Sequence, residues 1–265
     1  MNPVPPVPFA DLLTGLLVFP LFLLVARVGA AVMVFPAISD PSVNIRVRLL
    51  ITLGIAFVLL PLLGGSFPGL PDRTADMLLL LFGEMVVGLL LGLGARLMMA
   101  AMSLAGEVIA FLAGFQGASL FDPSTHTNSG APAVFLTLCA GVVLLGLNLH
   151  HQLIMAVVES YNLFKPGVMP EVGDISAAYV EMMTVIMRLG LQLAAPVVVA
   201  GLLTNVLFGV LNRLVPQLQI FFVSVPVTIT VSVVLLVAGL GTMLQLWANA
   251  TQDRLTLFQV EEGAE

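Results

Sequence analysis

Charge is scarce in this sequence: of 265 residues only 9% are charged, against 59% hydrophobic, and the mean hydropathy is +1.11. An ordinary soluble domain is about a quarter charged, so this composition excludes one and describes an integral membrane protein. Cysteine is nearly absent. The single Cys139 can form no intrachain disulfide, reads as a small packed hydrophobe inside an apolar run, and leaves the redox compartment open. No basic patch exists, which argues against nucleic acid or anionic lipid as the main ligand. Histidine is also rare. His150 and His151 are adjacent, so on a helix they point about 100° apart and do not both face one metal ion. His126 lies in a different stretch, and interfacial histidines are the expectation. Gly83, Gly88, Gly92 and Gly94 form no nucleotide loop, because no strand precedes them and no Lys-Ser/Thr follows. Low-complexity tracts and internal repeats are missing too. The stretch MNPVPPVPFADLL contains no Lys or Arg, and the apolar run after it is too long for the core of a cleaved signal peptide; a retained span is expected.

What remains is apolar length. Runs able to cross a bilayer, about 20 residues each, occupy Leu12 to Phe35, Arg48 to Leu63 with its flanks, Met77 to Ala105, Ala131 to Leu149, Val185 to Leu211 and Leu218 to Ala248. They predict an all-α chain of about six long apolar helices forming hairpins in a membrane-associated bundle. The last run is rich in β-branched residues. At its length and without alternation a helix is still expected, since spanning backbone satisfies its own hydrogen bonds. Prolines at 20, 36, 41, 61, 196, 216 and 226 lie in or beside runs and predict kinks. The segment from Gln152 to Glu181 reads as a solvated acidic loop with a short amphipathic start. The chain is expected to be one domain over 1–265, with an amino-terminal segment at 1–11 and an acidic tail at 249–265.

Two features do not suit ordinary spans. Arg46, Arg48 and Arg213 fall on one side of a six-span arrangement and Arg73, Lys165 and Arg254 on the other, so loop charge sets no orientation. Arg27, Glu84, Arg96 and Arg188 lie inside runs, where each costs about 2.5 to 3.5 kcal/mol in mid-membrane; they are expected to face protein or water. Arg96 and Glu107 share a helix face but stand roughly 16 Å apart along it, as Glu181 and Arg188 do at about 10 Å. Any ion pair they form must therefore involve another element. Gly88 and Gly92 make a small-residue stripe suited to close helix approach, within the chain or with a partner. The pairs Met98/Met102 and Met183/Met187 read first as ordinary helix packing.

The most distinctive stretch is Gly106 to Pro123, GEVIAFLAGFQGASLFDP. Glycines at 106, 114 and 117 followed by Asp122-Pro123 describe backbone that bends and then stops. Non-helical backbone at membrane depth is tolerated where protein encloses it or water lines it. The stretch is therefore either part of a conduit or a re-entrant connection.

Four local patterns, spread from about Leu23 to Asn249, resemble the R-type export-gate family of flagellar type III secretion, the FliR family, which is homologous to the T-type injectisome protein. Val25-Ala26-Arg27-Val28-Gly29, Pro36 and Ile45-Arg46-Val47-Arg48 are similar to its opening. Gly83-Glu84, Gly88, Gly92, Gly106-Glu107 and Phe121-Asp122-Pro123 match its central signature. Leu147 to Ile154, ending at Ser160, resembles its Asn-Gly-His-His element, and Leu211 to Val223 with Pro226 resembles its most diagnostic block. Leu149, Gln219, Ser224 and Thr228 depart from the usual Gly, Asn, Gly and Lys. The His-His element and short tail favour a flagellar rather than an injectisome member.

The resemblance implies an export gate in the bacterial inner membrane at the flagellar basal body. Partners would be the P-type and Q-type subunits in a larger helical assembly, the B-type and A-type export membrane proteins, membrane lipid and unfolded export substrates, with no nucleic acid. No cofactor, metal or catalytic residue is implied; the ATPase and the proton motive force reside with other subunits. Phe111, Gly114, Phe115, Gln116, Gly117, Ala118 and Leu120 match the family's pore plug. Arg27, Glu84, Glu107, Arg213, Pro216 and Gln217 lie in the matching patterns and, together with Arg96, are expected to be structural or assembly positions. A secondary transporter using Glu84, Glu107, Arg96 and Arg188 is the alternative, and a membrane scaffold without a pore is a third reading.

Overall fold

A computed structural model describes residues 18–36, 38–40, 43–63, 66–115, 130–166, 172–215 and 220–256. The described residues are all helical or connecting, in seven helices: α1 (Val18–Val34), α2 (Ile45–Leu63), α3 (Thr74–Ala113), α4 (Ala131–Gly146), α5 (Leu149–Leu163), α6 (Val172–Leu214) and α7 (Ile220–Thr256). Among them α2, α3, α6 and α7 are long and apolar enough to cross a membrane, and the bent pair α4 and α5 makes up to five spans if counted as one.

Most apolar runs became helices close to their expected limits. The β-branched run is the continuous 37-residue α7. Thr228 donates its hydroxyl to the Ser224 carbonyl and Thr230 to that of Pro226, each at 2.8 Å, so these polar groups are satisfied on their own helix. Pro61, Pro196 and Pro226 all lie inside helices.

The loop expected from Gln152 to Glu181 is instead mostly helix. Residues 149–163 form α5, and α6 already begins at Val172. The buried positions of α5, Leu149, Leu153, Ala156, Val157, Ser160 and Tyr161, recur at the spacing of one helical face. Polar residues on its other face lower the average hydropathy and hide it from a search for apolar runs. Between α4 and α5 the axis turns by 72° at Asn148, whose φ of 56° is left-handed, a region Asn tolerates. The family's usual Gly is absent at the next position, Leu149, without strain. Leu149 is already helical and is buried.

Helix length is the second departure from simple spans. The 40, 43 and 37 residues of α3, α6 and α7 correspond to about 60, 65 and 55 Å, roughly twice a hydrocarbon core of about 30 Å. Their exposed apolar side chains, including Leu202, Leu203, Val206 and Val210 on α6, extend over more length than one bilayer covers.

The chain divides into two compact units. One holds the described residues up to Arg96 with those of Asn148–Val180 and 254–256; the other holds those of Leu97–Leu147 and Glu181–Asp253. In the first, α1 packs on α2 and α5 and lies against α3. A Cβ on Gly88 would stand 2.0 Å from the carbonyl oxygen of Arg27, and one on Gly92 would stand 2.8 Å from that of Ala31. The small-residue stripe therefore serves packing within the chain. The hydroxyl of Tyr179 donates to the Leu90 carbonyl.

In the second unit, Trp247 of α7 is fully buried and its indole Nε1 donates to the Met98 carbonyl at 2.9 Å. Met98, Met102, Ile109, Leu136 and Leu193 complete the core. Met98 and Met102 thus pack as ordinary core residues, whereas Met183 and Met187 are exposed.

Candidate functional site

Gly106 does not bend the chain: it lies inside α3, which continues to Ala113. Its lack of a side chain is used for contact, since a Cβ there would stand 2.2 Å from the Cα of Ala133. The helix stops at Gly114, whose φ is +80°. The amide of Phe115 donates to the Ala110 carbonyl at 3.0 Å and that of Gly114 to the Phe111 carbonyl at 3.2 Å. This is the paired 6→1 and 5→2 closure of a Schellman motif, which requires a residue that accepts the left-handed region. Phe111, in the last turn, is 68% exposed. Of the remaining plug positions, Phe115 follows the stop, while Gln116, Gly117, Ala118 and Leu120 lie outside the described residues.

The chain returns at Gly130, the N-cap of α4, with Pro132 at the start of the helix. No side chain of its own caps this end. Glu107 of α3 does so instead: the Gly130 amide donates to its two carboxylate oxygens at 3.2 and 3.4 Å. In a capping box this acceptor comes from the third residue of the same helix; here a neighbouring helix supplies it, with its charge at the positive end of the α4 dipole.

The other expected polar positions separate into two groups. Arg27 and Glu84 come together as a buried ion pair, with side chains 1% and 2% exposed. Arg27 Nε donates to Glu84 Oε2 at 2.7 Å and Nη2 donates to Oε1 at 3.1 Å, the two-pronged geometry that suits a guanidinium. Nη1 also donates to Ser160 Oγ at 3.2 Å, and Nη2 to the Phe164 carbonyl at 3.1 Å. The guanidinium carbon stands 3.9 Å from the centre of the Tyr161 ring, within cation–π range. One side chain on α1 thereby ties α3 to the end of α5. Both groups of the pair are thus enclosed and hydrogen-bonded within the first unit.

Arg96, Arg188 and Arg213 form the second group, and all three are exposed. Pro216 and Gln217 lie outside the described residues. The rings of His150 and His151, expected to diverge, have centroids 4.2 Å apart at 38°. No cluster of three metal-ligating side chains exists among the described residues.

Ser160, Tyr161, the Phe164 carbonyl and Gly130 were not expected as partners. The first two lie on the regularly spaced buried face of α5, a visible signal. The others act through backbone atoms, which residue identity does not mark.

The model of the family described as "bacterial export proteins, family 1" matches residues 18–253. The chain belongs to this family. Within it, the FliR resemblance holds along nearly the whole chain. The flagellar biosynthetic protein FliR of Caulobacter vibrioides is 33% identical over 245 residues, covering 92% of this chain and 98% of that protein. That of Bacillus subtilis is 32% identical over 237 residues, covering 87% and 90%. That of Escherichia coli is 31% identical over 212 residues, covering 80% of each. A bacterial export protein of the FliR family, built from long apolar helices, is thus a membrane component of a protein export apparatus and not a member of an enzyme family.

Proposed function

We propose that this chain is a subunit of the flagellar type III export gate in the bacterial inner membrane, and that residues 111–121 line and help to plug its pore. Family membership over residues 18–253 carries the export role. The plug assignment is supported by the end of α3, where a glycine-dependent stop follows the exposed Phe111 and the chain returns at a capped Gly130. Unfolded flagellar proteins pass through the opened pore, while energy input and catalysis belong to other components.

The expected partners are the P-type and Q-type gate subunits, with the B-type and A-type export proteins alongside. The apolar length of α3, α6 and α7 beyond one bilayer supports such an assembly, since side chains outside the hydrocarbon need protein cover.

The test is ion conductance of the assembled, closed complex. Deletion within Phe111 to Ala118, or replacement of Gly117, is expected to leave co-purification of partners intact and to make the closed complex leak small ions. Unchanged conductance in those variants refutes the plug assignment.

A further inference from the structure

Two exposed apolar stripes in the first unit each meet an arginine at one end. On α2, Leu50, Leu53 and Phe57 follow Arg46 at i+4, i+7 and i+11, and all four are exposed, so they share one face. The opposite face, Thr52, Ala56, Leu59 and Leu60, is buried. On α3, Phe82, Met85 and Leu89 precede Arg96 by fourteen, eleven and seven residues, and these four are exposed as well. The same spacing rule puts them on one face.

Helix α1 gives both stripes a common scale. A Cβ on Gly29 would stand 3.2 Å from Cγ2 of Thr52 on α2. The added Cβ atoms of Gly88 and Gly92 meet the carbonyls of Arg27 and Ala31 in the same order, so α3 runs parallel to α1, while α2 starts just after α1 ends and runs back along it. At about 1.5 Å per residue, Arg46 lies about 9 Å beyond the level of Gly29, and Arg96, four residues past Gly92, lies about 9 Å beyond it too. The two arginines therefore stand at one level. On the far side, Asp72, Arg73 and Asp76 are exposed. Asp76 precedes Arg96 by about 30 Å along α3, close to the thickness of a hydrocarbon core. Between these levels α2 carries no charge from Leu49 to Leu63, and α3 from Met77 to Ala95 carries only Glu84. That residue and Arg27 fall near the middle of the interval, where both are buried and paired, as charged groups at mid-membrane depth must be.

The geometry points to a phospholipid bilayer as the occupant of the two stripes, with Arg46 and Arg96 at one headgroup layer and Asp72, Arg73 and Asp76 at the other. No side-chain hydrogen bond or ion pair of Arg46 or Arg96 occurs among the described residues, which leaves both guanidinium groups for headgroup phosphates. Their aliphatic stems continue the apolar stripes while the charge stays in the wet layer. A protein partner requires no charges spaced at bilayer thickness; a bilayer does. Helix α5 exposes His151 and Asn162 and is not part of this face. The inference concerns the first unit alone and does not depend on the plug reading.

The experiment uses the full chain, purified with the subunits that accompany it and reconstituted in vesicles of phosphatidylethanolamine and phosphatidylglycerol. A fluorescent amino acid is placed singly at Leu50, Phe57, Met85 or Leu93, all exposed, and quenching is compared between lipids spin-labelled near the headgroup and at mid-chain. The probes at Phe57 and Met85 are expected about 10 Å deeper than those at Leu50 and Leu93, with mid-chain quenching dominant at the first two and headgroup quenching at the others. Arg46→Leu combined with Arg96→Leu is expected to draw the probes at Leu50 and Leu93 deeper, whereas the corresponding Lys variants keep the parent depths. Absence of quenching at Phe57 and Met85 means that protein, an accompanying subunit or a second copy, covers the stripes, and overturns the inference. Equal depth at all four positions overturns it as well. Correct depths that do not move in the double Leu variant leave lipid on the stripes but overturn the anchoring role of the two arginines.

Discussion

Replacing Arg27 with methionine tests the buried tie of the first unit. Methionine retains much of the side-chain volume but removes four hydrogen bonds, two to Glu84 and one each to Ser160 and the Phe164 carbonyl. The Tyr161 contact is lost as well. It leaves the carboxylate of Glu84, 2% exposed, without its guanidinium. Breaking a buried pair from one side costs about 3 to 5 kcal/mol, whereas replacing both partners with apolar residues is often close to neutral.

Arg27→Met alone is therefore expected to destabilise by at least about 3 kcal/mol, and Glu84→Leu alone by a similar amount. The double variant should recover most of the loss. The assay is reversible unfolding of the purified chain in mixed micelles by an anionic detergent titration, followed by helical circular dichroism. Additive single costs, or a cost for Arg27→Met below about 1 kcal/mol, the range of an exposed pair, would refute the claim that these groups form one enclosed unit.

At the end of α3, Gly114→Ala forces an L side chain into φ +80°, where an added Cβ meets no atom of the described residues beyond its chain neighbours within 4 Å, so its cost is conformational, about 1 to 2 kcal/mol. Gly114→Asn should lose less; equal losses in the same titration, read by Trp247 emission, would argue against the left-handed stop. Arg213, exposed in the last turn of α6, lies in the block that resembles the family's most diagnostic sequence. Arg213→Ala is expected to lower recovery of the gate complex at unchanged chain stability, and normal recovery counts against a partner contact there.

Low charge and long apolar runs were enough to indicate the membrane class and to locate most of the helices, including α7 against its strand-like composition. Hydropathy failed for α5, whose buried face alternates with His151, Asn162 and other polar residues. A test of helical periodicity identifies it. The order of the four local patterns was sufficient for family recognition, because those residues remain recognisable one by one. Gly106 shows the limit of such reading. Glycine marks either a bend or a close contact, and only the position of Ala133 separates the two.

What the sequence determined by itself is therefore local or averaged: the solvent class, helix propensity over long windows and the family. The tertiary structure decided which charges are partners. Arg27 and Glu84 are 57 positions apart, and Glu107 and Gly130 are 23 apart, so no helical periodicity connects them. An ion pair or a cap depends on distances of a few ångströms between elements, and those distances exist only once α1, α3, α4 and α5 have packed.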